Sequence, residues 1–423
     1  MLTLDSRALP QVADEQLGTW QRRLLLASAI FAGLAIPLST AAQNISTGFL
    51  LLCCVFMRPL RMQLPRLVRE PFPLACLSLF LLMTVALAWS SASWDARLEM
   101  LPRFREYLLV PVFMACLLHA GARRALVISF AAATFLSVLM SFGLSVMGLH
   151  FLNTLPAQNS WPVFHSHTYH NLFIAWLGSG ILAALCCKAL ETPLQTRLAW
   201  TALALCVANA YFWVVGRTGQ GQFLLMLLFI LVRHQPRRWL VPGIVALVAL
   251  PVLLYLGSAH VRKGITNMQQ DIVQMQAGNS DTSIGLRILY ARSAVALIGE
   301  APVFGHGTGA YPGEYARLTG YSKGNLSSGH PHNDYLWLWA EAGILGPLAL
   351  LGVLIGLVLQ ARKLPRPQQL WVESLALCMG VGTLLHALFT DNVSGVGFAV
   401  LASALSAGAL TSSPPRPVAG TRA

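Results

Sequence analysis

The sequence predicts an all-α polytopic membrane protein with about 12 transmembrane helices and one large, partly helical external loop. Three observations predict this class. Of 423 residues, 56% are hydrophobic and only 11% are charged, whereas a soluble domain carries about a quarter charged residues. Apolar runs of roughly 17 to 24 residues recur along the chain, the length that a hydrocarbon core of about 30 Å demands of a helix. The basic residues also crowd into alternate connections, as orientation in a membrane requires.

The expected spans are 24–42, 45–57, 73–92, 107–119, 125–148, 172–187, 198–215, 217–232, 239–257, 335–360, 370–389 and 395–411. The second and fourth are short enough to read, alone, as re-entrant or buried segments. Charge placement sets the parity. With the N-terminus in the cytoplasm, the cytoplasmic segments hold 19 of the 29 basic residues and 6 of the 16 acidic ones. Among them are Arg58, Arg61, Arg66 and Arg69, then Arg123 and Arg124, Arg233, Arg237 and Arg238, and Arg362, Lys363 and Arg366. The other side is balanced, so the whole net charge of +13 lies on one face. The basic character therefore reports orientation and not nucleic-acid binding. Both termini are expected inside.

The eight cysteines (53, 54, 76, 116, 186, 187, 206 and 378) all fall in apolar spans, so they read as small apolar filler and not as a disulfide framework. The first twenty residues are too polar for a cleaved signal peptide.

The expected organisation is nine helices in 1–257, a loop domain in 258–334, three helices in 335–411 and a cytoplasmic tail in 412–423. A long external loop in an otherwise compact chain is usually functional. Residues 259–282 are polar and glutamine-rich. SIGLRILYARSAVALIGE (283–300) has apolar residues at helical spacing and carries Arg287 and Arg292, which predicts an amphipathic interfacial helix. A glycine-rich stretch and a coil follow, ending in HPHND (330–334).

HPHND opens the tenth span. Asn333 and Asp334 suit a helix start, because they satisfy free backbone N–H groups and complement the dipole. A helix N-terminus disfavours an imidazolium, so His332 would stay neutral and able to accept a proton. The alternative is that His330 and His332 are interfacial groups bonding headgroups or backbone. Asp334 and Glu341 are seven residues apart and share a helix face, so both could line a polar cavity.

The apolar part of the eighth span, 223–232, covers only about 15 Å. Its helix must therefore begin near Arg217 and bury Thr218, Gln220 and Gln222. A guanidinium at that depth is a functional candidate, and snorkelling to a lipid phosphate is the alternative. Arg287 and Arg292 lie too far apart around their helix to share one narrow face, and a solvated helix face would explain both. Arginine is the residue suited to bidentate phosphate recognition.

Other motifs are weaker. HSHTYHN (165–171) offers His165, His167 and His170, but its spacing matches no zinc signature. Arg97, Arg103 and Arg105 could meet lipid phosphates, or pair along the helix with Asp95, Glu99 and Glu106. GHGTG (305–309) lacks the preceding strand and the GK[ST] of a phosphate loop.

HNDYLWLWAEAGILG has His-Asn, nine residues, Gly, two residues, Gly, and it follows a long external loop. With Arg217 opening a span and Arg287 in SIGLRILYARSA ahead of PVFGHGTG, it resembles the O-antigen ligase family. That family belongs to a superfamily with O-antigen polymerases and membrane O-oligosaccharyltransferases. The resemblance covers roughly residues 210–350, and 165–171 have no counterpart in it.

It implies a GT-C-like glycosyltransferase architecture in the bacterial inner membrane. The reaction implied is transfer of a glycan from undecaprenyl pyrophosphate to a hydroxyl of lipid A–core oligosaccharide at the periplasmic face, with inversion. His332 would be the base, and Arg217 and Arg287 would hold the pyrophosphate. His330, Asn333, Asp334, Arg292, Gln220 and Glu341 would support them. The implied mechanism uses neither metal nor cofactor, and the expected partners are the two lipid-linked substrates and membrane lipids. A polymerase or a protein O-oligosaccharyltransferase is the alternative. A lipid-linked glycan transporter would need related halves and charges deep in several helices, neither of which is evident here.

Overall fold

A computed structural model describes residues 17–149, 160–234, 240–276, 282–320 and 330–410. The expectations for the cytoplasmic tail, for Arg237 and Arg238, and for the coil at 321–329 lie outside the described residues. What is described is helical, with no strand among the described residues.

The first third holds α1 (Thr19–Leu38), α2 (Thr40–Phe56), α3 (Pro71–Val85), α4 (Trp94–Met100), α5 (Arg105–Leu117) and α6 (Ala120–Met147). The middle holds α7 (His167–Cys186), α8 (Pro193–Ala208), α9 (Arg217–His234) and α10 (Leu240–Gly257). The loop region holds α11 (Ala259–Gln276), α12 (Ser283–Glu300) and α13 (Tyr311–Thr319). The last helices are α14 (Asp334–Ala342), α15 (Leu345–Ala361), α16 (Arg366–Gly382) and α17 (Asn392–Ala407). Several helix starts are capped by side chains. The Ser93 hydroxyl accepts the Ala96 N–H, Thr282 that of Gly285, and the Asp391 carboxylate those of Val393 and Ser394, groups that a helix leaves unpaired at its N-terminus.

Five helices among the described residues are long and apolar enough to cross a membrane, and six if 40–56 and 58–67, bent by 92°, count as one span. A multi-pass chain is thereby supported, whereas the count of 12 remains an expectation. The other apolar segments are short or interrupted. α5 has 13 residues, about 20 Å of helix.

The expected tenth span at 335–360 is not continuous. It breaks at Gly343, whose φ is +66°, between α14 and α15. A Cβ at Gly343 would lie 1.9 Å from the carbonyl oxygen of Val303, so only glycine admits the loop at this point. The GHGTG stretch fills the break: the His306 N–H donates to the Ala340 carbonyl at 2.8 Å, and the Gly307 N–H to that of Glu341 at 2.7 Å. The stretch is a brace between helices. The polar segment 259–282, for which no helix was anticipated, contains α11.

α9 begins at Arg217, as its length demanded, and buries Gln220 and Gln222. It packs against the first turns of α7 at very short range. A Cβ on Gly216 would approach the Asn171 Nδ2 to 2.8 Å, and one on Gly219 the Asn171 Cβ to 2.5 Å. Small residues let the two backbones approach, which sets Arg217 beside the 165–171 segment.

Alternate connections are tied together at opposite ends of the bundle. At one end Arg105 donates to Asn44 Oδ1 (2.8 Å) and Asn392 Oδ1 (2.7 Å), and Ser91 N–H to the His306 carbonyl (2.9 Å). At the other, Arg366 donates to the Arg233 carbonyl (2.6 Å), and Lys363 lies 3.6 Å from Glu70. The loop helices and HPHND belong to the first end.

Candidate active site

His332 precedes α14 with φ +55°. A non-glycine residue held in that region costs about 1–3 kcal/mol and persists only where its surroundings enforce it. Here they do. The His332 N–H donates to His330 Nδ1 at 3.2 Å, and Asn333 caps α14 through its Oδ1, which accepts the Leu336 N–H at 3.1 Å. The His332 ring lies edge-on to His330 at 4.4 Å, 5.9 Å from Tyr290 of α12 and 5.7 Å from His386. Its Nδ1 is buried with no hydrogen-bond partner among the described residues.

The electrostatics keep this ring neutral. Burial, then the neighbouring His386 and the Arg287 guanidinium, hold His332 down to about 4. Burial, then His332, His386 and Arg103, hold His330 down to about 3. Arg103 reaches the same place from the connection before α5, with its guanidinium 5.8 Å from the centre of the Trp337 ring.

Asp334 does something other than line an open cavity. Its buried carboxylate accepts the Thr383 hydroxyl, the Phe389 N–H at 2.8 Å and the Thr390 hydroxyl at 2.6 Å. Asn333 Nδ2 adds a bond to the Leu384 carbonyl at 3.2 Å. HPHND is thus stitched to the connection between α16 and α17, and that connection brings His386 to the site. The sequence reading missed His386, since it counted 370–389 as span. The available signal was a histidine interrupting an apolar run in LLHALFTDN.

Arg287 is half-buried on α12 and has neither a hydrogen-bond nor an ion partner among the described residues. Burial, and then the like charge of Arg217, lower its pKa, while Asp271 opposes the shift. Arg217 has a single bond to the described residues, from Nη1 to the Gly264 carbonyl at 3.4 Å. Two neighbouring guanidiniums with no carboxylate bridging them among the described residues form a ready anion site. Arg292, by contrast, is exposed.

Two supporting candidates have structural bonds instead. Gln220 Nε2 donates to the carbonyls of Ala210 (2.9 Å) and Val214 (3.2 Å), closing the π-helical turn at the end of α8. Glu341 is buried beneath the GHGTG brace, where its Oε1 accepts the Tyr311 N–H at 3.4 Å. Arg97 and Arg105 form no ion pairs among the described residues. Arg97 bonds the carbonyls of Leu87, Ser90 and Ala92, and Arg105 bonds two asparagines, because loop carbonyls and amides lie closer than the expected carboxylates.

The HSHTYHN cluster divides. His170 is buried and bonded at both nitrogens, Nδ1 accepting the Val163 N–H (3.3 Å) and Nε2 meeting Asn209 Oδ1 (3.1 Å). Tyr169 instead faces the site, 5.9 Å from His386. The cluster of potential metal ligands found among the described residues is elsewhere, at Glu300, His306 and Glu314, whose ligand atoms lie within 4.8 Å of one another. Arg317 bonds both of those carboxylates, that of Glu314 at 2.6 Å, so a guanidinium already engages them.

The O-antigen ligase family matches residues 201–351, from α8 to α15. That stretch contains Arg217, Arg287 and His332, and the resemblance read from the sequence is borne out across it. An uncharacterized protein of Haemophilus influenzae is 30% identical over 112 residues, which cover 26% of this chain and 28% of that protein.

Proposed function

We propose that this chain, which matches the O-antigen ligase family over residues 201–351, transfers a polysaccharide from undecaprenyl pyrophosphate to a hydroxyl of lipid A–core oligosaccharide. The reaction takes place at the periplasmic face of a bacterial inner membrane. The observation that carries this reading is a neutral imidazole beside the Arg287 guanidinium, its Nδ1 and that guanidinium both without partners among the described residues.

Pyrophosphate is a good leaving group, so the transfer needs no general acid. It needs a base for the acceptor and fixed positive charge for the departing diphosphate. Arg287 and Arg217 hold the diphosphate, and His332 accepts the proton as the acceptor oxygen attacks the anomeric carbon. The C–O bond to phosphate breaks, its electron pair leaves with the diphosphate, and the anomeric centre inverts.

A ring held at about 4 is neutral at physiological pH but is a weaker base than one tuned near 7. A bound diphosphate places negative charge beside His332 and offsets Arg287, which raises the ring towards the operating pH. Donor binding thus prepares the base.

Deletion of the gene, followed by analysis of lipopolysaccharide banding, tests the substrate assignment. Core without attached polymer supports a ligase. Core carrying a single repeat unit would assign a polymerase, and unchanged lipopolysaccharide would point to protein O-glycosylation or transport.

A further inference from the structure

His386 is absent from the proposed chemistry, yet its surroundings set it apart from the other buried polar groups. It sits between α16 and α17 on a segment fastened by four side-chain bonds of Asn333 and Asp334, the residues that follow His332. Its ring meets that of His332 at 5.7 Å and 78°, and that of Tyr169 at 5.9 Å. The Nδ1 atoms of both His332 and His386 are buried without a hydrogen-bond partner among the described residues. Buried polar nitrogens are normally satisfied, so orphans on two neighbouring rings leave hydrogen-bonding capacity unspent at one place. Arg287, His167 and Asp391 also lie close enough to influence His386, so the place adjoins the anion site.

We propose that His386 is the second imidazole of the acceptor subsite, donating an N–H to the acceptor hydroxyl oxygen while His332 accepts that hydroxyl's proton. The inference rests on the ligase reading above. The arrangement fixes all three directions around the oxygen. Its proton points to His332, one lone pair takes the His386 N–H, and the other faces the anomeric carbon. As the O–H bond breaks and the new C–O bond forms, the proton ends on His332 and the leaving electron pair on the diphosphate. His386 keeps its own proton throughout. A glycan hydroxyl is the ligand such a pair would take; a carboxylate or phosphate would sit at the guanidiniums instead.

The test uses the full chain reconstituted in lipid vesicles with lipid-linked donor and lipid A–core acceptor. His386→Phe keeps ring volume and removes the N–H, whereas His386→Asn keeps a donor near the Nδ1 position. His386→Phe is expected to lose roughly 10- to 100-fold in kcat/KM for acceptor, with donor KM unchanged, and His386→Asn to recover a large part of that loss. Retained binding of the lipid-linked donor identifies folded variants. Full activity in His386→Phe, a parallel rise in donor KM, or an Asn variant no better than Phe would overturn the proposal. His332→Ala, assayed alongside, separates the two failures. If it is inactive while His386→Phe is fully active, only the role of His386 falls; if it is active too, the base assignment itself falls.

Discussion

Residues 165–170, which run into the first turn of α7, and 330–332, which precede α14, are both histidine-rich and lie at the same end of the bundle, yet His170 and His332 are bonded in opposite ways. His170 has a partner at each ring nitrogen, through Val163 and Asn209. His332 sits in left-handed backbone with a buried Nδ1 that has none. Composition alone would rank the first cluster higher, with three histidines in six residues. Satisfied hydrogen-bonding capacity marks a structural histidine, and unsatisfied capacity beside unpaired arginines marks a chemical one.

The contrast can be broken most sharply at His332. Alanine there is expected to lower kcat for transfer by about 100- to 10,000-fold while donor binding persists, as rapid quench and lipid-binding assays would report. Arg287→Ala should raise donor KM by roughly 10- to 100-fold, the scale of a lost hydrogen bond to a charged group. Arg287→Lys should restore charge without the bidentate fork, and therefore only part of the affinity.

Asp334→Ala acts through the connection that carries His386. It strands two buried hydroxyls and the Phe389 N–H, at a cost of about 1–3 kcal/mol for each donor left unsatisfied. Thermal unfolding in detergent should show a lower Tm, and activity should fall with it. His170→Ala should cost about 1–3 kcal/mol of stability by the same reasoning, with kcat per folded molecule unchanged. A selective loss of kcat in that variant would erase the distinction between the clusters.

The smallest effect is on pH dependence. His332 must be unprotonated to act, so the rate falls as pH drops through its pKa. The acid limb of kcat/KM, which reports the free enzyme, is expected near about 4. The limb of kcat, which reports the loaded enzyme, should lie at higher pH. Coincident limbs would show that donor binding does not tune the ring.

Much of this was legible in the sequence because the bilayer imposes lengths. The start of α9 at Arg217 follows from a span otherwise too short, and the α12 helix follows from the spacing of its apolar residues. Asn333 as the cap of α14 follows from side-chain chemistry. What was not legible depends on contacts distant in sequence. The break at Gly343 exists because the Val303 carbonyl occupies the space of a side chain. Asp334 and Gln220 read as candidate site groups until their partners, at 383–390 and 210–214, showed their hydrogen bonds already spent on structure. His386 was hidden in an apolar run, and only the Asn333 and Asp334 bonds bring it to His332.

The central claim is that one neutral imidazole takes the acceptor's proton. Its most direct test is single-turnover transfer in vesicles, with purified lipid-linked donor and lipid A–core acceptor, comparing His332→Ala with His170→Ala at equal amounts of folded protein. The account predicts near-complete loss of transfer in the first and wild-type turnover in the second. Full transfer by His332→Ala would contradict it.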